Sequence, residues 1–174
     1  MKLEKAATPA EAPQRPPIMP ANVRAGQVIG LVEITGGLGT PIDASKLADE
    51  FGSDLAVLLP ILDTGEMLGL IKVEKGDVSL TELGQKFQRL SKNKVRMLKD
   101  QLAKVEPFKT ALELATRDGE FSASDVANAL QEKDIRWHHK QEMNEMQIQA
   151  LLIHWSIYAG LLNYNGKDGK FRKA

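Results

Sequence analysis

The segment TPIDASKLADEF (residues 40–51) returns as GEFSASDVANAL (residues 119–130). Ile42 answers to Phe121, Ala44 to Ala123, Ser45 to Ser124, Leu47 to Val126 and Ala48 to Ala127. In each half a leucine-pair helix follows, runs into Gly-Leu (Gly69-Leu70 and Gly160-Leu161) and gives way to a Gly-rich hairpin. A chain that repeats this order is limited to two similar small units, because each amphipathic helix needs a partner for its apolar stripe.

The local signals fill in the first unit. Val28, Leu31, Val32 and Ile34 have helical spacing that stops at Gly36-Gly37. A second helix is expected from Asp43, a good N-cap, through Leu47, Ala48 and Phe51 to Gly52. Leu55, Leu58, Leu59 and Leu62 follow the i, i+3, i+4, i+7 rule of a third helix. Pro60 lies within that helix, so it is expected to kink there or to begin near the proline. The period then changes to two. Leu70 to Val73 and Val78 to Leu80 flank Glu74-Lys75-Gly76-Asp77 and read as a hairpin. Three helices and a hairpin is the winged helix-turn-helix pattern.

Residues 91–105 and 107–117 read as connecting helices that meet at Glu106-Pro107, since a residue before proline avoids the α region. In the second copy Ile148, Leu151, Leu152 and Trp155 form one stripe, and LLNYNGKDGKFRK turns between Asn165 and Gly169. The expected fold is mainly α with short β-hairpins (α+β). Tandem winged helix-turn-helix-like modules, 23–90 and 118–174, are joined by a basic helical connector, 91–117. Residues 1–22 hold five of the eight prolines and almost no large apolar periodicity, and are expected to be a flexible tail.

Function classes can be excluded in turn. Without cysteine there is no disulfide, thiolate metal site or thiol nucleophile. The first residues, MKLEKAATPAEAPQRPP, lack the apolar core of a signal peptide, and the longest apolar run, Leu55 to Leu62, is far short of a membrane span. Both point to a cytoplasmic protein with no membrane insertion. The phosphate-cradling loop G-x-x-x-x-G-K-[ST] is absent: Gly160 to Gly166-Lys167 has one residue too many, and Asp168 stands where a magnesium-binding hydroxyl belongs. His138 and His139, if helical, point about 100° apart and fit a surface pair better than a metal site, while His154 reads as a packed helix residue. Acid pairs such as Asp49-Glu50 and Asp118-Glu120 suit helix ends, and Trp137 and Trp155 suit a core or module interface. No nucleophile, base and orienting group stand together, so neither a catalytic residue, a metal nor a cofactor is expected.

Charge separates the remaining readings. Net charge is zero, yet residues 25–82 hold three basic and ten acidic groups, and residues 83–174 hold sixteen and eleven. The third helix, in DLAVLLPILDTGEMLG, has no Lys or Arg and is flanked by Asp54, Asp63 and Glu66, so it would be repelled by phosphates. The corresponding helix in the second copy offers Asn144, Gln147 and Gln149 but no cation after Lys140. Sequence-specific nucleic-acid binding is not expected. Residues 86–104 are the clearest basic feature, with Lys86, Arg89, Lys92, Lys94, Arg96, Lys99 and Lys104 against Asp100 alone. Within them Lys92, Arg96 and Lys99 would share a helical face, with Val95, Leu98 and Leu102 turned to the core. Lys92, Lys94, Arg96 and Lys99 are therefore the candidate docking surface. Phe87 is the single aromatic residue among them, so no series of aromatics is interleaved to stack bases.

The string GLVEI followed by DLAVLLPILDTGEMLGLIKVEKGDVSLTELGQKF resembles the AAA-associated C-terminal domain that follows the ATP-binding cassette in ATPase subunits of nitrate/sulfonate/taurine-type ABC transporters. KVEPFKTALELA is similar to the family's helix entered around a proline, and ALLIHWSIYAGLLNYNGKDGKF to its closing aromatic helix, Gly and hairpin. PPIMPANVRAGQVIGLVE looks like the junction between cassette and domain, so the likeness covers about residues 17–174. It implies a non-enzymatic regulatory or adaptor module that binds a separate ABC transporter ATP-binding subunit or a related assembly. Such a module would sit in the cytoplasm, at the inner face of the membrane through its partner, with a homo-oligomer also open to it. The alternative is a winged-helix DNA-binding transcriptional regulator.

Overall fold

The structure is a computed structural model that describes residues 18–174. The first half runs α1 (Ala25–Leu38), β1 (Ile42–Asp43), α2 (Ala44–Phe51), α3 (Leu55–Met67), β2 (Ile71–Glu74) and β3 (Asp77–Leu80). Two further helices, α4 (Glu82–Arg89) and α5 (Lys94–Leu102), lead to α6 (Phe108–Asp118), β4 (Glu120–Phe121), α7 (Ala123–Glu132) and α8 (Gln141–Leu151). A π turn (Leu152–Ser156) continues α8 before β5 (Leu162–Asn165) and β6 (Lys170–Lys173). The fold is mainly α with short hairpins, as the sequence predicts.

The repeat is reproduced in space with one addition. Each hairpin gains a third strand, giving antiparallel sheets ordered β1-β3-β2 and β4-β6-β5. Ile42 pairs with Val78 in the first and Phe121 with Phe171 in the second, so the repeated apolar position that opens each segment is a sheet residue. The helix that follows is capped by side chains. Asp43 Oδ1 accepts from the Ser45 and Lys46 amides, at 3.0 and 3.2 Å. In the second copy Ser122 Oγ accepts from the Asp125 amide, and Asp125 Oδ2 from the Ser122 amide at 2.7 Å. Gly52 ends α2 at φ 70°, where an L side chain would be strained.

Several boundaries differ from the sequence reading, each for a local reason. α1 runs on to Leu38, past Gly36-Gly37. α3 starts at Leu55 and passes through Pro60, because burial of Leu58, Ile61 and Leu62 on one face outweighs one missing backbone hydrogen bond. That burial uses Ile61 in place of Leu55 and Leu59, which are 38% and 48% exposed. α4 is an additional helix, started by Thr81, whose Oγ1 accepts from the Gly84 amide at 3.0 Å. α6, read from sequence as connector, packs on α7, β4 and β6 as α1 packs on α2, α3 and β3, so it supplies the second unit's first helix.

Of the residues expected to form a tail, 1–17 lie outside the described ones, whereas 18–22 lie within them and take part in the fold. Met19 is fully buried, and its carbonyl accepts the indole N–H of Trp137 at 2.8 Å. The Val23 carbonyl accepts the indole N–H of the fully buried Trp155 at 3.0 Å. Each tryptophan of the second unit thus holds a carbonyl of the segment leading into the first. One continuous apolar cluster runs from Met19 to Phe171 across both units.

Candidate docking surface

The four candidate cations occupy different positions. Asn93 adopts φ 69° and breaks the backbone, so α5 begins at Lys94 and Lys92 lies in the bend before it. The expected i, i+4, i+7 face shared by Lys92, Arg96 and Lys99 therefore does not exist as one helical row. Arg96 and Lys99 stand on exposed α5, and Lys92 is exposed beside the helix start. Lys94 differs from all three. Its ammonium donates to Glu33 Oε1 of α1 at 2.9 Å and lies 5.4 Å from the centroid of the Phe87 ring, with 23% of its side chain exposed. This is an intramolecular tether, not a cation presented to a partner.

The buried side of α5 also needs correction. Leu98 and Leu102 are fully buried, but Val95, expected in the core, is 42% exposed. The helix is only two to three turns long and buries two apolar residues, Leu98 and Leu102, which leaves Val95 outside that row. The solvent side of this region thus presents Lys92, Arg96 and Lys99 around one apolar side chain. None of the three cations forms an ion pair among the described residues. The basic run itself is divided: Lys86 and Arg89 belong to α4, and Lys104 lies beyond α5.

The other candidates fall to structural roles. Asn144, one of the polar residues open to base contact, is buried, and its Oδ1 accepts the Trp137 amide at 2.7 Å and the His138 amide at 3.3 Å. It fixes the loop between α7 and α8. Residues 55–67 carry no Lys or Arg, and their exposed large apolar side chains are Leu55, Val57 and Leu59. The Gly160 to Lys167 stretch forms β5 and a hairpin turn in which Asn165 Oδ1 accepts the Lys167 amide at 3.0 Å. A phosphate loop needs amides aimed outward at the start of a helix, and here the strand is followed by a turn.

His138 and His139 lie in a loop, not on a helix, with rings stacked at 4.4 Å between centroids. Lys140 donates its amide to His138 Nδ1 at 3.0 Å. Among the described residues no three His, Cys, Asp or Glu side chains are grouped as metal ligands. A cavity of about 330 Å³ opens beside the histidines, lined by Ile18, Ile135, Arg136, Trp137, His138 and His139. His154 lies within the π turn, where its Nδ1 is 2.8 Å from Arg24 Nη1. Burial, and then the Arg24 charge, hold its imidazole below the ordinary range. The Ser122 backbone amide holds the Asp125 carboxyl below the usual carboxylate range, an effect of the cap. The Arg117 fork does the same to Asp118 through bonds of 2.8 and 2.7 Å.

Two features were not foreseen. Glu33 is the partner of Lys94, and nothing in local spacing connects residues so far apart in the chain. The exposed row of Met143, Met146 and Ile157 on and beyond α8 was readable as a second apolar stripe beside the buried one. Among the described residues no helix is long and apolar enough to cross a membrane. The chain matches no curated protein and no solved structure. The family model for the C-terminal AAA-associated domain matches residues 45–165, from the start of α2 to the end of β5. That family description associates the domain with AAA proteins, and the match takes in most of the first copy of the repeated segment, all of the second and the α5 surface between them. The chain belongs to the C-terminal AAA-associated domain family.

Proposed function

We propose that this chain is a non-enzymatic regulatory or adaptor module that docks on the ATP-binding subunit of an ABC transporter of the nitrate/sulfonate/taurine type. Membership of the AAA-associated family is the observation that carries this reading. The surface it would use is the exposed group of Lys92, Arg96 and Lys99 around Val95, whose chemistry suits an acidic protein face with an apolar centre. Lys94 stays with Glu33 and Phe87 and holds the helix that presents the others. The partner would keep the module in the cytoplasm, at the inner face of the membrane.

The acidic, partly apolar α3 and the buried Asn144 weigh against the transcriptional-regulator alternative. One variant tests the choice. Lys92→Glu, Arg96→Glu and Lys99→Glu together should abolish capture of an ABC ATPase subunit from native extract, with unchanged circular dichroism. The same variant should remove any duplex binding, which in the unaltered chain should be weak, independent of sequence and lost steeply with salt. Sequence-selective, salt-resistant duplex binding by the unaltered protein would instead support the regulator. Micromolar ATP affinity by calorimetry in magnesium buffer would contradict the non-enzymatic reading.

A further inference from the structure

The two sheets differ at the edge strand that enters each hairpin, β2 in the first unit and β5 in the second. The Thr81 amide donates to the Leu70 carbonyl and the Ala174 amide to the Leu161 carbonyl, each at 3.1 Å. These bonds fix the alternation along each strand. The backbone groups of Ile71 and Val73 in β2, and of Leu162 and Tyr164 in β5, point outward from the sheet. In β2 that edge is closed. Glu66 Oε1 accepts the Val73 amide at 2.7 Å, and the strand carries Lys72 and Glu74, paired at 2.6 Å. A carboxylate on the edge amide and charged side chains along the strand keep a foreign strand from pairing there.

β5 has neither device. Counted back from the Gly-Leu step, Ile157 stands where the first unit has Glu66, and an aliphatic side chain accepts no hydrogen bond. Among the described residues nothing accepts the outward Tyr164 amide. The strand reads Leu-Asn-Tyr-Asn, without charge or proline. What fits this edge is a second β5, antiparallel about a two-fold axis at Asn163. Leu162 of each copy then stands opposite Tyr164 of the other, and each such pair exchanges backbone hydrogen bonds in both directions. Side chains match on both faces of the strand. Buried Leu162 and half-buried Tyr164 lie on the core side and meet as an aliphatic-aromatic pair, while exposed Asn163 meets its own copy, amide to amide. Lys170, Arg172 and Lys173 of β6 lie one strand further in. Across the axis they would be three strand spacings, about 14 Å, from the other copy's, further than exposed charges reach in ordinary buffer.

We propose that the chain forms a two-fold homodimer by pairing β5 with β5 of a second copy, joining their three-stranded sheets into one. The claim is independent of the docking role of α5. Sedimentation equilibrium across a micromolar concentration series should give a mass rising from 19.1 kDa towards twice that value. Asn163→Lys and Asn163→Glu should each weaken self-association by at least about tenfold with unchanged melting curves, because each sets like charges together on the axis at an exposed position. An equimolar mixture of the two variants should associate again. Asn163→Cys, in a chain without cysteine, should give a disulfide-linked dimer under mild oxidation, since the axis brings the two Cα atoms to about 4.5 Å. The triple reversal at Lys92, Arg96 and Lys99 should not alter the mass. A monomer at every concentration, a dimer unaffected by Asn163→Lys, a mixture of the Lys and Glu variants that stays monomeric, or an Asn163→Cys chain that does not cross-link would each overturn the proposal.

Discussion

At the scale of single residues, the fold depends on a few side chains that meet backbone. Gly84 is one: a Cβ there would overlap the Leu70 carbonyl oxygen, which also accepts the Thr81 amide at 3.1 Å. Gly84→Ala should therefore cost about 2–4 kcal/mol in urea unfolding, since backbone, unlike a side chain, cannot rotate away. Trp155→Phe should cost about 1–3 kcal/mol beyond the lost packing, because it strands a buried Val23 carbonyl. Two titrations have a definite sign. The His154 imidazole is held low in the folded chain, so the unfolded chain takes up that proton first; its contribution is full above about pH 6.5 and declines as pH falls through that value. The Asp125 carboxyl is also held low, and its contribution is present above about pH 3.9 and lost in more acidic solution. A His154→Gln variant should flatten the upper part of the stability profile and leave the lower part unchanged. The sequence made the Asp43 cap legible, since that side chain acts through its neighbours in the chain. It did not reveal the Lys94–Glu33 pair or the indole bonds, whose partners meet only after folding.

Elements built from local periodicity matched expectation where a single face is buried, as in α2 and α7. They departed where competing contacts decided the outcome. In α3 the packing of Leu58, Ile61 and Leu62 carries the helix across Pro60, so the proline marks neither a start nor a break. The π turn has a comparable origin. Leu58, Ile61 and Leu62 correspond to Ile148, Leu151 and Leu152, but the interval from Leu152 to Gly160 is one residue longer than that from Leu62 to Gly69. A π turn accommodates one added residue without moving the Gly-Leu step out of register with its hairpin. α4 rests on Thr81, whose hydroxyl caps Gly84 and bonds the Gly69 carbonyl. Thr81→Ala should cost about 1–2 kcal/mol, while Thr81→Ser should retain most of that stability. The α5 surface was legible as composition but not as geometry. The basic residues are evident in the sequence, yet the left-handed Asn93 that separates Lys92 from the helix leaves no periodic signal.

For the whole molecule, the two units share one apolar cluster and the segment at 18–24 is held by tryptophans of the second unit, so unfolding should be a single cooperative event. Removal of residues 1–24 should lower the melting temperature markedly, because Met19 leaves the core and both indoles lose their acceptors. The repeat made the doubled architecture legible; the way the copies join was not, since it rests on contacts between residues more than a hundred positions apart. The account's central claim is that the chain docks on an AAA-type ATPase through α5. Hydrogen exchange on the complex with the captured ATPase subunit addresses it directly. Protection should concentrate on residues 92–100 and disappear in the Lys92, Arg96 and Lys99 reversal variant. A complex that protects other surfaces while residues 92–100 exchange as in the free chain would contradict the account.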